Sequence, residues 1–125
     1  MRLKALLFSL IIAFSSGCVV VGVGATSALG GTYYVSGEIK ASYPVSISHL
    51  YEVSLYTFGR EGIKTISVTN TTEDADIEGE LDDGKSVNIH IYYNKKEQAT
   101  IGIRIGVIGD EKRSRELLKK MERYI

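Results

Sequence analysis

Tryptophan is absent from the 125 residues, and cysteine and proline occur once each. One cysteine cannot close an internal disulfide. Net charge is missing too, because 15 basic side chains balance 15 acidic ones. Such a chain offers no electrostatic footprint for nucleic acid, and no nucleic-acid partner is expected. His49 and His90 are the only histidines. They lie far apart in the chain with no second cysteine to join them, whereas zinc needs three or four converging ligands. No G-x-S-x-G elbow presents a nucleophile, and Ser46, Ser48 and Ser54 have capping or helix-face explanations. The chain therefore reads as non-enzymatic, with no cofactor and no metal.

Charge is also missing from a long N-terminal interval, since none separates Lys4 from Glu38. Arg2 and Lys4 precede an apolar run from Ala5 to Phe14, too short to span a bilayer as a stable helix. Ser15-Ser16-Gly17 then lead into Cys18. Basic head, apolar core and small residues before a cysteine describe a secretory signal, and the last four residues resemble the lipobox of bacterial lipoproteins. Position 15 departs from the preferred leucine. Residues 1–17 are thus expected to be a cleaved signal peptide, and Cys18 to carry the lipid that anchors the protein to a membrane. Acylation would also remove the liability of an unpaired thiol in an oxidising envelope. The competing reading is an uncleaved apolar helix through Val19-Val20-Val21, which the glycines and serines dilute. Val19, rather than Asp, follows the cysteine, so by analogy with lipoprotein sorting the protein is expected at the outer membrane, facing the periplasm. Cleavage leaves 108 residues with 13 basic and 15 acidic side chains, net −2. That length suits a single domain.

Residues 18–32 form a lipidated, glycine-rich spacer in this reading. Gly22-Val23-Gly24 resembles the start of a dinucleotide fingerprint. Ser27 stands where the third glycine belongs, however, and no acidic residue follows at the ribose-binding distance. Gly24 and Ala28 have the small-xxx-small spacing of close helix pairs in lipid; the alternative is a flexible juxtamembrane leash.

Residues 33–125 read as one globular α+β domain. Tyr33, Val35, Gly37, Ile39 and Ala41 alternate with Tyr34, Ser36, Glu38 and Lys40, which predicts one half-buried strand ended by Pro44. Ser46 caps a helix from Ile47 to about Arg60, stopped by Gly59 and Gly62. Four more strands follow. Ile66 and Val68 mark the first, and Ile77, Gly79 and Leu81 the next. Val87, Ile89, Ile91 and Tyr93 point inward from the third, as do Ile101, Ile103, Ile105 and Val107 from the fourth. Asp83-Gly84 predicts a type I′ hairpin. Asp110 caps a terminal helix with Leu117, Leu118, Met121 and Ile125 as its apolar stripe, supported by Glu111–Arg115 and Glu116–Lys120 pairs. The predicted architecture is an antiparallel sheet of about five strands in the order β-α-β-β-β-β-α, with both helices on one face.

Asp74, Asp76, Glu78 and Gly79 are spaced like the start of an EF-hand loop, but Lys85 occupies the twelfth position, where the bidentate glutamate belongs. A charged strand edge accounts for the run better. Asn70-Thr71-Thr72 matches a glycosylation sequon, which carries no meaning in a bacterial lipoprotein. Lys112, Arg113, Arg115, Lys119, Lys120 and Arg123 are interleaved with Glu111, Glu116 and Glu122, the pattern of a solvated helix face rather than a lipid-binding one. By strand parity, Tyr34, Glu38, His90, Tyr92 and Arg104 project from the uncovered sheet face, which makes them the candidate partner-binding residues. The competing reading is an ordinary wet face.

The layout resembles a family of small uncharacterised bacterial lipoproteins, domain of unknown function 3568. The resemblance covers nearly the whole chain. It rests on Cys18, the glycine-rich spacer, Gly37-Glu38-Ile39 with Tyr43-Pro44, a first helix ending at Gly62, Ile103-Arg104-Ile105-Gly106, and Gly109-Asp110 with Ser114 beyond. More distantly, the element order is similar to the helix-grip domains of barrel-assembly lipoproteins. These likenesses imply a fold and carry no chemistry. Two expectations of function result. The first is an anchored module that binds another envelope protein through its open face. The second is a small-ligand or lipid binder with a cavity between sheet and helices, lined by Tyr33, Tyr51 and Tyr93.

Overall fold

The computed structural model describes residues 31–125. The expected signal peptide, the lipid-bearing Cys18 and all but the end of the spacer lie outside the described residues. Six strands and two helices follow: β1 (Thr32–Val35), β2 (Glu38–Tyr43), α1 (Ile47–Glu61), β3 (Lys64–Asn70), β4 (Asp74–Glu80), β5 (Ser86–Tyr93), β6 (Ala99–Ile105) and α2 (Glu111–Glu122). All strands are antiparallel in one sheet of order β1-β2-β6-β5-β4-β3. The sheet begins at Thr32, one residue before the expected boundary. Among the described residues no helix is long and apolar enough to cross a membrane.

The α+β class, the helix placement and the element order match the sequence pattern, apart from the first strand. What reads as one strand from Tyr33 to Ala41 is a hairpin, with Ser36 and Gly37 at φ of 52° and 82° and Val35 opposite Glu38. A two-residue turn with positive φ at both central positions is the twist-matched way to reverse a strand. It also shifts parity: residues 35 and 38 share a face, and so do Tyr34 and Ile39.

Alternation in β2, β4, β5 and β6 does what it predicts, whereas the edge strand β3 is exposed throughout, Ile66 and Val68 included. Ile39, Ala41 and Tyr43 from β2, Ile77 from β4, Val87, Ile89 and Ile91 from β5, and Ile101, Ile103 and Ile105 from β6 are buried on one face. They form a single cluster with Leu50, Val53 and Phe58 of α1 and with Leu117, Leu118 and Met121 of α2. Burying side chains of this size stabilises by roughly 1.5–3 kcal/mol each, so covering this face with both helices dominates the energetics.

The helices start as expected. The Ser46 hydroxyl accepts from the His49 amide, and the Asp110 carboxylate accepts from the Arg113 amide. Glu111–Arg115 forms at 3.0 Å, but Lys120 leaves Glu116 to reach Glu61 of α1 at 2.9 Å, tying the two helices together. Two other expectations fail. β6 ends at Ile105, because the backbone turns at Gly106, and Val107 is 90% exposed rather than inward. The Asp83-Gly84 loop is not type I′: only Gly84 has positive φ, and its amide bonds Leu81 O at 2.9 Å. This is a type I turn completed by a left-handed residue. The Asn94–Gln98 loop repeats it, with Glu97 in the left-handed position.

Candidate functional site

Both helices cover the same sheet face, so among the described residues the other face is open. Register brings Tyr33, Lys40, Gly102, His90, Asp76 and Thr69 into one row across the sheet. Arg104, Asn88, Glu78 and Ser67 form the next row. Between them runs a groove of about 280 Å³, whose lining includes Glu38, Asp76, Glu78, Asn88, His90 and Arg104.

Of the five residues expected on this face, four are there and Tyr34 is not. The Ser36-Gly37 turn puts Tyr34 opposite Ile39, and it packs against the apolar core. Tyr33 takes its place on the open face, half exposed and opposite Lys40. The sequence signal for this correction was the Ser-Gly dipeptide itself, a turn pair set inside an otherwise alternating run.

The face is polarised. Tyr33, Lys40, Tyr92 and Arg104 occupy the β1, β2, β5 and β6 side, where the Lys40 ammonium lies 5.9 Å from the Tyr92 ring centre. Asp74, Asp76, Glu78 and Glu80 occupy alternate positions of β4. His90 stands between the two halves. Its ring stacks on Tyr92 at 5.1 Å, and its Nδ1–H donates to Asp76 Oδ1 at 2.6 Å. Nitrogen and carboxylate oxygens of Asp74, Asp76 and His90 all lie within 4.8 Å of one another. This grouping does not show along the chain, where Asp74 and Asp76 have the spacing of an EF-hand start and His90 lies far from His49.

Arg104 does a different job from the one expected. Its Nη2 donates to Ser36 O at 2.7 Å and its Nη1 to Val107 O at 3.4 Å. The guanidinium therefore clamps the β1–β2 turn to the loop after β6. Under this clamp Gly37 and Gly109 meet backbone to backbone: a Cβ on Gly37 would stand 2.5 Å from Ile108 O, and one on Gly109 would stand 2.6 Å from Gly37 Cα. Glu38 lies across Gly102, where any side chain would collide with its carboxylate.

Residues 2–124 match the family described as Protein of unknown function (DUF3568). The chain belongs to this family. No curated protein matches it. The structure gives physical sense to the residues on which the family resemblance rests. Gly37, Arg104, Gly109 and Asp110 meet at one corner, where they hold a turn, a loop and a helix start together, while Gly106 turns the chain out of β6 with its amide on Ser86 O. Ser114 is fully buried in α2, and its hydroxyl finds no partner among the described residues.

The tyrosines expected to line an internal cavity do not converge. Tyr33 lies on the open face, on the far side of the sheet from α1. Tyr51 packs on the core, and the Tyr93 hydroxyl accepts from the Ile47 amide at the start of α1. Tyr43, also on the core face, is buried and donates to Glu122 Oε1 at 2.9 Å. Burial, reinforced by the carboxylate, pushes its phenol far above the ordinary range.

Proposed function

We propose that this protein is a bacterial envelope lipoprotein, held by a lipid on Cys18 at the outer membrane, whose domain faces the periplasm and binds another envelope protein. The contact surface is the open sheet face, and the role is non-enzymatic. One observation carries the reading: both helices cover the same side, so Tyr33, Lys40, Tyr92 and His90 remain on the uncovered side as a set of aromatic and charged groups around a shallow groove. Aromatic side chains supply large contact area at low entropy cost, which is why they anchor interfaces. The anchor rests on the basic head, the short apolar run and the small residues before the only cysteine.

The test is photo-crosslinking in intact cells, with the probe at position 33 or 92 and a control at Tyr56, which is exposed on α1. The same discrete adduct from both open-face positions, absent from the control, is the expected result. Tyr33→Ala combined with Tyr92→Ala should reduce that adduct, with the probe then placed at Lys40, by about tenfold or more. Its thermal midpoint should stay within about 4 °C of the parent. Adducts of equal yield from all three positions, or none, would overturn the contact surface. In the same cells an inhibitor of signal peptidase II should accumulate a larger precursor; an unchanged product would overturn the lipid anchor alone.

A further inference from the structure

Strand register, rather than any sequence motif, assembles the carboxylate–imidazole group on the open face. Asp74 and Asp76 are two residues apart on β4, so both project from the same side. His90 of β5 is directly opposite Asp76 and diagonal to Asp74. Its Nδ1 faces the Asp76 carboxylate, stacking on Tyr92 holds the plane of the ring, and a ligand atom of Asp74 lies within the same 4.8 Å group.

We infer that Asp74, Asp76 and His90 form a site for a divalent first-row transition ion of the zinc class. A tetrahedral ion with bonds of about 2.1 Å holds its ligand atoms roughly 3.4 Å apart. The three donors already lie within 4.8 Å of one another, so small rotations of the exposed Asp76 and of the half-buried Asp74, whose Oδ1 accepts from Thr71 Oγ1 at 2.9 Å, complete the approach. Imidazole with two carboxylates is a mixed nitrogen and oxygen set, which favours zinc-like ions over calcium and magnesium. On binding, the ion takes the place of the Nδ1 proton that bonds Asp76, and His90 coordinates through Nδ1 as the neutral ring with its proton on Nε2. The local charge also asks for a cation. The ion pairs formed by lysine and arginine among the described residues engage Asp83, Glu111 and Glu61, and none reaches Asp74, Asp76, Glu78 or Glu80. Glu38, lying across Gly102 opposite His90 and lining the same groove, places a third carboxylate within the neighbourhood. The site requires no protein partner and goes beyond the proposed interaction role.

The experiment is titration of the full chain in detergent with zinc chloride alone near neutral pH, followed by calorimetry and by nitrogen-15 shifts of the histidine rings. The expected result is saturable binding of one ion per chain, a shift of the His90 Nδ1 resonance, and no response to calcium or magnesium. His90→Gln and Asp76→Asn should each weaken binding by about tenfold or more, and His49→Gln should leave it unchanged. The ring shifts are read on the unmutated chain, so they report even if a variant misfolds. Absence of saturable binding, an unshifted His90 ring, or retention of affinity in His90→Gln would overturn the site.

Discussion

Gly109 offers the sharpest quantitative test of how this fold is held, because its substitution meets two separable penalties. The residue has φ of 99°, where a side chain is strained, and its Cβ would meet the carbonyl oxygen, the Cα (2.6 Å) and the carbonyl carbon (2.8 Å) of Gly37. The left-handed region costs a non-glycine residue about 1–2 kcal/mol. Overpacking typically adds about 1–3 kcal/mol, and here no side-chain rotation can relieve it, because the colliding atoms are backbone. Gly109→Ala should therefore destabilise by about 2–5 kcal/mol. Gly84 is the internal control: its φ is 85°, yet nothing lies within 4 Å of its Cβ direction. Gly84→Ala should cost only the conformational part, about 1–2 kcal/mol. Urea unfolding of both variants measures the difference, which isolates the close approach of the β1–β2 turn to the loop after β6. Equal losses from the two substitutions would refute the claim that this contact is tight.

Two further outcomes can be checked in the same assay. The Tyr43 phenol has a folded-state pKa raised by burial and by Glu122 above the ordinary 10.0, so its contribution is complete below that pH and is lost as pH rises through the folded value. Stability should fall above pH 10, with this residue supplying a slope of up to about 1.4 kcal/mol per pH unit. Tyr43→Phe should remove that part of the alkaline decline; an unchanged slope contradicts the assignment. Ser114→Ala deletes a buried hydroxyl that has no partner among the described residues and should stabilise by about 1 kcal/mol, seen as a higher urea midpoint; a loss of comparable size would show that the hydroxyl is bonded after all.

The sequence revealed most where a single physical rule was decisive. Val87 to Ile91 and Ile101 to Ile105 alternate because one face of each strand is buried and the other is not, and nothing competes with that signal. Ser46 and Asp110 were legible as caps because orphan amides at helix starts need a short acceptor. The first strand misled for the same reason that the others were clear. Tyr33, Val35, Ile39 and Ala41 keep an alternating pattern, but the turn at Ser36-Gly37 reverses the chain and moves Tyr34 to the core side. Tyrosine tolerates either environment, so its type could not reveal which side it faced. The grouping of Asp76 with His90 was not legible from the expected turn. A two-residue turn at Asp83-Gly84 would set Asp76 opposite Ile91, and the extra residue in the turn that actually forms shifts the register by one and brings His90 opposite Asp76. Arg104 was not legible either, since its role depends on a turn 68 residues away that only the folded chain brings near.

The division of charge across the open face bears on how a partner would be oriented. A face that served only solubility would intersperse both signs, because a large single-sign field invites nonspecific binding. Here four carboxylates are stacked on β4, with Glu38 of β2 lining the same groove, whereas Tyr33 and Lys40 lie on β1 and β2 and Tyr92 reaches the Lys40 ammonium from β5, with His90 in contact with both Tyr92 and Asp76. A complementary partner is steered into one orientation by such a dipolar face, since reversing it would set like charges together. Cation binding at Asp74, Asp76 and His90 would cancel much of the negative half and so weaken that steering. The two proposals are therefore coupled in a definite direction for a partner that is basic opposite β4: zinc should lower its association rate, most at low ionic strength, and His90→Gln should abolish the zinc effect without abolishing the association. An association rate that zinc leaves unchanged at low salt would mean that the acidic strand lies outside the contact, and would confine the interface to Tyr33, Lys40 and Tyr92.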